Sequence, residues 1–199
     1  MVSGGNSERV FVAQGLVFAL LFYPVSRFGF DGLIYRLGGD DQLYGEVTKV
    51  TDGDTLEVET QGRTTPVRLI GVDTPETVDP EQPIGCYGPQ ALDYTRQVLY
   101  EHQTDAEDRI LSEGRLLRLE IPRIGDSEDA YVRTLAYVYL DTNKDGRYEH
   151  SFNEDLLELG LARTTDFSHE HRREYERMRE ASEERGAGLW SACPEVAAG

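Results

Sequence analysis

Five residues stand out because their types and spacing could perform chemistry together. Asp54 lies in VTDGDTLEV (Val50 to Val58), and Asp73 and Glu76 close VRLIGVDTPE (Val67 to Glu76), a run that also carries Arg68. Arg133 precedes a second apolar run in DAYVRTLAYVY. An arginine inside an apolar strand is expensive to desolvate, so Arg68 should meet a carboxylate or a phosphate. Two aspartates converging from neighbouring strands repel one another unless a cation joins them, and such hard oxygen donors suit calcium better than zinc. No Cys/His cluster competes for a softer metal. Glu76 is the spare carboxylate that could orient or deprotonate a water. Cation, guanidiniums and base together are the parts for hydrolysing a phosphodiester. The plain alternatives are a hairpin turn at Asp52-Gly53-Asp54, since Asp-Gly suits tight turns, and a structural salt bridge at Arg68.

These residues need a scaffold, and the local patterns supply one. Glu46–Val50 and Thr55–Thr60 are β-prone runs flanking Asp52-Gly53-Asp54, and Thr65–Val72 follows a turn at Gln61-Gly62, giving a three-strand meander. Gly88-Pro89 opens a helix over Gln90–Glu101, where Ala91, Tyr94 and Val98 recur at helical spacing. Leu116–Ile121 and Leu135–Leu140 are two further strands; Phe152–Leu159 and His169–Arg185 read as helices stopped by Gly160 and Gly186. Five strands with a helix between the third and fourth predict a β-rich α+β domain, a five-stranded OB-fold barrel with about three helices. His169 and His171 fall in a charge-laced helix whose i to i+4 pairs suit a solvated face, and Trp190 suits terminal packing.

At 199 residues and 39% hydrophobic content, the chain is long enough for one cored domain plus an additional segment. Its 37 Asp and Glu against 20 Lys and Arg give a net charge of -17. That is an acidic, solvated surface of the kind halophilic proteins use; it repels polyanions at low salt, so the composition alone argues against nucleic-acid binding. Val10 to Val25, VFVAQGLVFALLFYPV, is short for a membrane span but suits a signal-peptide core or a tilted anchor, with a helix packed on the domain as the alternative. Residues 1–43 are therefore expected to be an apolar signal or anchor segment plus linker, and 44–199 the domain. This places the domain outside the cell or facing outward from a membrane, as a monomer. Cys86 and Cys193 are compatible with one bridge or with two free thiols. DTNKDGRYE (Asp141 to Glu149) places Asp141, Asn143, Asp145 and Gly146 at the one-three-five-six spacing of a calcium loop, yet position twelve is Phe152. A polar hairpin insertion and a second calcium site both remain open there.

DGDT (Asp52 to Thr55), VRLIGVDTPE, YGPQA (Tyr87 to Ala91), YVRTLAYVY (Tyr131 to Tyr139), LLELGLAR (Leu156 to Arg163) and GLWSACP (Gly188 to Pro194) occur in the order seen in staphylococcal-nuclease-like proteins, the thermonuclease family. The chain resembles that family from about Tyr44 to Pro194. By position, the resemblance implies that Asp54, Asp73 and the backbone carbonyl of Thr74 hold calcium. It further implies that Glu76 is the general base or water-orienting group, that Arg68 and Arg133 clamp phosphate, and that Tyr131 contacts a nucleotide phosphate. The implied activity is calcium-dependent cleavage of DNA and RNA at the 5′ side of the phosphodiester, leaving 3′-phosphates. A binding module that kept the fold and lost the chemistry is the rival, but it should show gaps among these residues and none is present. A cation-binding surface domain would have no use for two arginines. Departures from the family pattern are Val132 where Tyr-Gly-Arg is usual, a longer connection at Thr104 to Gly114, and no pair of stacking tyrosines near Thr164 to Phe167, where Phe167 is the nearest substitute.

Overall fold

A computed structural model describes residues 42–77, 83–104 and 110–193. The apolar run at 10–25 and the linker after it lie outside the described residues. Among those described, no helix is long and apolar enough to cross a membrane.

The meander forms as the turn chemistry dictates. Strands β1 (Gln42–Asp52) and β2 (Thr55–Thr60) pair antiparallel across the DGD turn, with Asp52 opposite Thr55. β2 then pairs with β3 (Arg63–Leu69) across Gln61-Gly62, where φ is +52° and +76°. Positive φ at both central residues is the two-residue turn whose twist matches its strands. The read strand Thr65–Val72 is broken near its end. At Gly71 φ is +79°, which only glycine adopts freely, and the chain bends into the short β4 (Val72–Asp73). This bend aims Asp73, and it is braced from behind: Asn153, fully buried, accepts from Val138 N–H at 2.9 Å and donates to the Ile70 carbonyl at 2.9 Å.

Helix α1 (Gly88–Leu99) buries Ala91, Thr95 and Leu99 on one face, and the Thr95 hydroxyl lies 2.8 Å from the Gly53 carbonyl in the DGD turn. The helix ends two residues before the reading above, because the chain turns extended at Tyr100. There it enters a hairpin, β5 (Tyr100–Thr104) with β6 (Ile110–Gly114), in what the sequence shows only as a long connection. β7 (Leu116–Glu120) returns antiparallel to β1, and β8 (Thr134–Leu140) pairs antiparallel with β7 and parallel with β3. The β3–β8 pairing closes the five-stranded barrel. Leu56, Val58, Leu117 and Val138 are completely buried within its core.

A two-residue strand, β9 (His150–Ser151), leads into α2 (Phe152–Glu158), where Ser151 caps the helix by accepting from Glu154 N–H at 3.3 Å. β10 (Arg163–Thr164) pairs with β4. α3 (Arg172–Glu184) buries Tyr175 and Ser182, and its outer face carries the Arg172–Glu176 and Arg179–Glu183 pairs. His169 does not follow the solvated-face reading. It precedes α3, is buried with only 5% exposure, and has Nδ1 3.0 Å from the Tyr137 hydroxyl. A one-turn α4 (Leu189–Ala192) seats Trp190 beside Leu189, Cys193 and Tyr87.

Candidate active site

Strand register brings four of the five residues, Asp54, Arg68, Asp73 and Arg133, to one rim of the barrel. The β2–β3 pairing sets Thr55 opposite Arg68, and Leu69 N–H donates to the Asp54 carbonyl at 3.0 Å, so Asp54 and Arg68 are neighbours. β4 then carries Asp73 alongside. The parallel β3–β8 pairing sets Arg68 opposite Leu135, which delivers Arg133, one residue before β8, to the same rim. A residue 65 positions further along the chain than Arg68 thus arrives through sheet closure alone.

Asp54 is fully buried. One carboxylate oxygen, Oδ2, accepts from Thr74 N–H at 2.7 Å; the other is paired with Arg68 Nη1 and lies 3.1 Å from the Thr55 hydroxyl. Burial pushes its pKa up to about 6, although the Arg68 charge and the Thr74 hydrogen bond pull the other way. The second guanidinium nitrogen, Nη2, reaches Asp73 Oδ1 at 2.6 Å, so Arg68 bridges both aspartates. The guanidinium therefore stands where the two acids call for a cation. Two carboxylates and the Thr74 carbonyl are hard oxygen donors that fit calcium or another hard divalent ion. Among the described residues no group of three or more His, Cys, Asp or Glu side chains forms a richer cluster.

Glu76 leaves β4 on a loop tied back to the DGD turn. The Asp52 carboxylate accepts from the Thr77 hydroxyl at 2.6 Å and from Gly53 N–H at 2.9 Å. Burial raises the Asp52 pKa against these hydrogen bonds, and the adjacent Glu76 carboxylate adds to the rise. Both acids of the turn thus hold loop 74–77: Asp54 through Thr74, Asp52 through Thr77.

Arg133 is set by a residue that sequence reasoning missed. Asp129 Oδ2 lies 2.6 Å from both Nε and Nη2 of Arg133, while Oδ1 accepts from the backbone N–H groups of Tyr131 and Arg133 at 2.9 Å each. Burial opposes its ionisation, but the Arg133 hydrogen bonds prevail and hold its pKa below the usual value. Inside this tight loop Val132 has φ +61°, a left-handed conformation costly for a β-branched residue, at the position where the family usually has glycine. Tyr131 is 80% exposed, with its ring 5.3 Å from the Arg133 guanidinium carbon. Thr55 is also missing from the sequence-read set, yet its hydroxyl lies 3.4 Å from Nη1 of both arginines. The acid four positions before Arg133 and the last letter of DGDT were the available signals.

Two other candidates lie apart from this rim. In the 141–149 loop the Asp141 carboxylate accepts from Asp145 N–H at 3.1 Å and Gly146 N–H at 2.8 Å, while Phe152 is fully buried in the core. Cys86 and Cys193 form a disulfide that joins the segment before α1 to the end of α4.

The architecture is that of an OB-fold protein whose barrel rim gathers two aspartates and two arginines. Residues 66–192 match the staphylococcal nuclease homologue family. The chain is 34% identical to a thermonuclease of Staphylococcus hyicus over 154 residues, covering 76% of this chain and 78% of that protein. It is 40% identical to a thermonuclease of Staphylococcus intermedius over 117 residues (59% and 56% of the two chains), and 36% identical to endonuclease YncB of Bacillus subtilis over 115 residues (58% and 44%). The protein belongs to the staphylococcal nuclease family, a family of hydrolytic nucleases.

Proposed function

We propose that the protein is a calcium-dependent nuclease that hydrolyses DNA and RNA at the 5′ side of the phosphodiester, leaving 3′-phosphates. The observation that carries this reading is the convergence of Arg68 and Arg133 on the Thr55 hydroxyl, immediately beside the Asp54–Asp73 pair. Asp54, Asp73 and the Thr74 carbonyl would hold the calcium ion. When bound, it supplies the positive charge that Arg68 lends these acids in the structure, which leaves the Arg68 fork for phosphate. Arg133, pre-set by Asp129, takes the phosphate from the other side and offsets charge as it develops in the transition state. Tyr131 is exposed beside it to contact the flanking nucleotide phosphate. Glu76 orients the attacking water or accepts its proton, and the P–O5′ bond breaks. We further propose that the protein works outside the cell or tethered to its surface, on the strength of the apolar segment at 10–25.

Cleavage of single-stranded DNA, duplex DNA and RNA, with calcium or with chelator, tests the reading. Wild-type protein is expected to cleave only with calcium. Glu76→Ala should lose about 3 kcal/mol or more of transition-state stabilisation, roughly a hundredfold or greater in kcat/KM. Wild-type protein that binds these substrates and leaves them whole would return the chain to the class of binding modules.

A further inference from the structure

Glu76 sits on a loop with three anchors, of which the DGD turn supplies two. The third is the segment in front of α1. Gly85 N–H donates to the Glu76 carbonyl at 2.7 Å. The approach is so close that a Cβ on Gly85 would stand 2.7 Å from Pro75 Cβ and 3.0 Å from Glu76 N. Gly88 packs on the same loop, and a Cβ there would meet the Pro75 carbonyl oxygen at 2.7 Å.

This segment is held in an uphill conformation. Tyr87, between the two glycines, has φ +69°, a left-handed backbone that a non-glycine residue keeps only when its surroundings enforce it. Tyr87 packs both on the main core and on α4, and the bridge acts through the second of these contacts. The Tyr87 ring packs against Leu189, Trp190 and Cys193, and the preceding residue, Cys86, is bonded to Cys193. α4 is itself fixed to the body of the domain, since Leu189 N–H donates to the Gly160 carbonyl at 2.8 Å. A continuous path therefore runs from the end of α2 through α4, the disulfide and Gly85 to the backbone of Glu76.

We propose that the Cys86–Cys193 disulfide is a latch that positions Glu76, so that turnover depends on the oxidation state of the bridge. The inference rests on the reading of Glu76 as the carboxylate that handles water. Cys86 is exposed and Cys193 buried, so a dithiol reductant reaches the bond from the Cys86 side. Its thiolate attacks the Cys86 sulfur and Cys193 leaves as a thiolate that takes up a proton. The second reductant thiol then closes a ring and releases Cys86 as a thiol. The protein gains two electrons and two protons, and the reductant loses them. With the bridge open, Tyr87 relaxes from its left-handed conformation and Gly85 N–H withdraws from Glu76. Arg68 and Arg133 are held by Asp54, Asp73 and Asp129 through contacts that bypass Cys86. Phosphate binding therefore persists while water activation fails, and a nuclease still inside a reducing compartment stays weak.

Steady-state cleavage of a single-stranded oligodeoxynucleotide in calcium tests the latch. The proteins compared are oxidised wild type, wild type reduced with dithiothreitol and alkylated, Cys86→Ala/Cys193→Ala, and Gly85→Ala with its bridge intact. Relative to oxidised wild type, kcat should fall by about tenfold to a hundredfold in all three, with KM held within about twofold, as expected for misplacing one catalytic group. Reduced, unalkylated wild type should regain its kcat on reoxidation with glutathione disulfide. Circular dichroism at the assay temperature establishes that each protein is folded, and should the double alanine variant fail to fold, reduced wild type and Gly85→Ala decide. Folded, reduced protein turning over at the oxidised rate overturns the latch, as does a loss confined to KM. Oxidised wild type that does not cleave overturns the nuclease reading instead.

Discussion

Asp54 is the residue on which stability and function pull hardest against each other. Its carboxyl, fully buried, titrates at about 6 in the folded protein against 3.8 when unperturbed. Between these values the folded state binds more protons than the unfolded one. Stability therefore declines as pH rises from about 4 to 6, and the loss is complete above that window. A shift of roughly two pKa units corresponds to about 3 kcal/mol as an upper bound. In chelator, thermal melts should show the decline, and calcium at pH 7 should reverse most of it, because an ion bound only by the folded state stabilises that state. Asp54→Asn removes the buried charge while leaving Arg68 with Asp73 alone. It should raise stability in chelator at pH 7 by about 1 to 2 kcal/mol, flatten the pH profile, and abolish the calcium-induced rise. A variant destabilised at pH 7 in chelator would show that Arg68 needs Asp54 more than Asp54 burdens the fold.

The loop from Asp129 to Arg133 behaves as one element, in which four contacts from a single carboxylate hold Tyr131, Val132 and Arg133 in a costly shape. Asp129→Asn keeps much of the backbone bonding and loses the charge that orients Arg133. KM for oligonucleotide should rise about tenfold, equivalent to about 1.4 kcal/mol, with a smaller change in kcat. Val132→Gly relieves a left-handed valine worth about 1 to 2 kcal/mol, offset by the roughly 0.5 to 1 kcal/mol that glycine adds in chain entropy. Denaturant unfolding should find it more stable by up to about 1.5 kcal/mol, and a destabilised variant would mean the loop carries no strain. What was legible in the sequence divides along this line. The meander, the barrel and the acids at strand exits follow from local periodicity and turn chemistry. The break at Gly71 and the burial of His169 depend on partners distant in sequence, here Asn153 and Tyr137. Asp129 escaped notice because a loop acid reads as solvated until the fold shows which arginine it faces.

At the scale of the whole molecule the difficulty is that a chain of net charge -17 must receive a polyanion. Two ranges of electrostatics are in play and salt separates them. Below about 0.1 M the screening length exceeds about 10 Å, so approaching phosphate feels the acidic surface as a whole. At 1 M it is about 3 Å, and only groups in contact matter, which at the rim are Arg68, Arg133 and, on the proposed function, a calcium ion. Raising salt therefore removes long-range repulsion first and weakens the clamp second. Two phosphate contacts on a single strand give a slope of roughly -1.4 in log affinity against log salt, far shallower than that of a protein binding through a broad basic face. The kcat/KM for single-stranded DNA, measured at fixed free calcium, should rise from about 10 mM salt to a few tenths molar. It should then fall by only about fivefold on reaching 1 M. A steady loss beginning at the lowest salt, with circular dichroism unchanged, would mean that the -17 is not felt at the rim and that basic side chains beyond Arg68 and Arg133 guide the substrate.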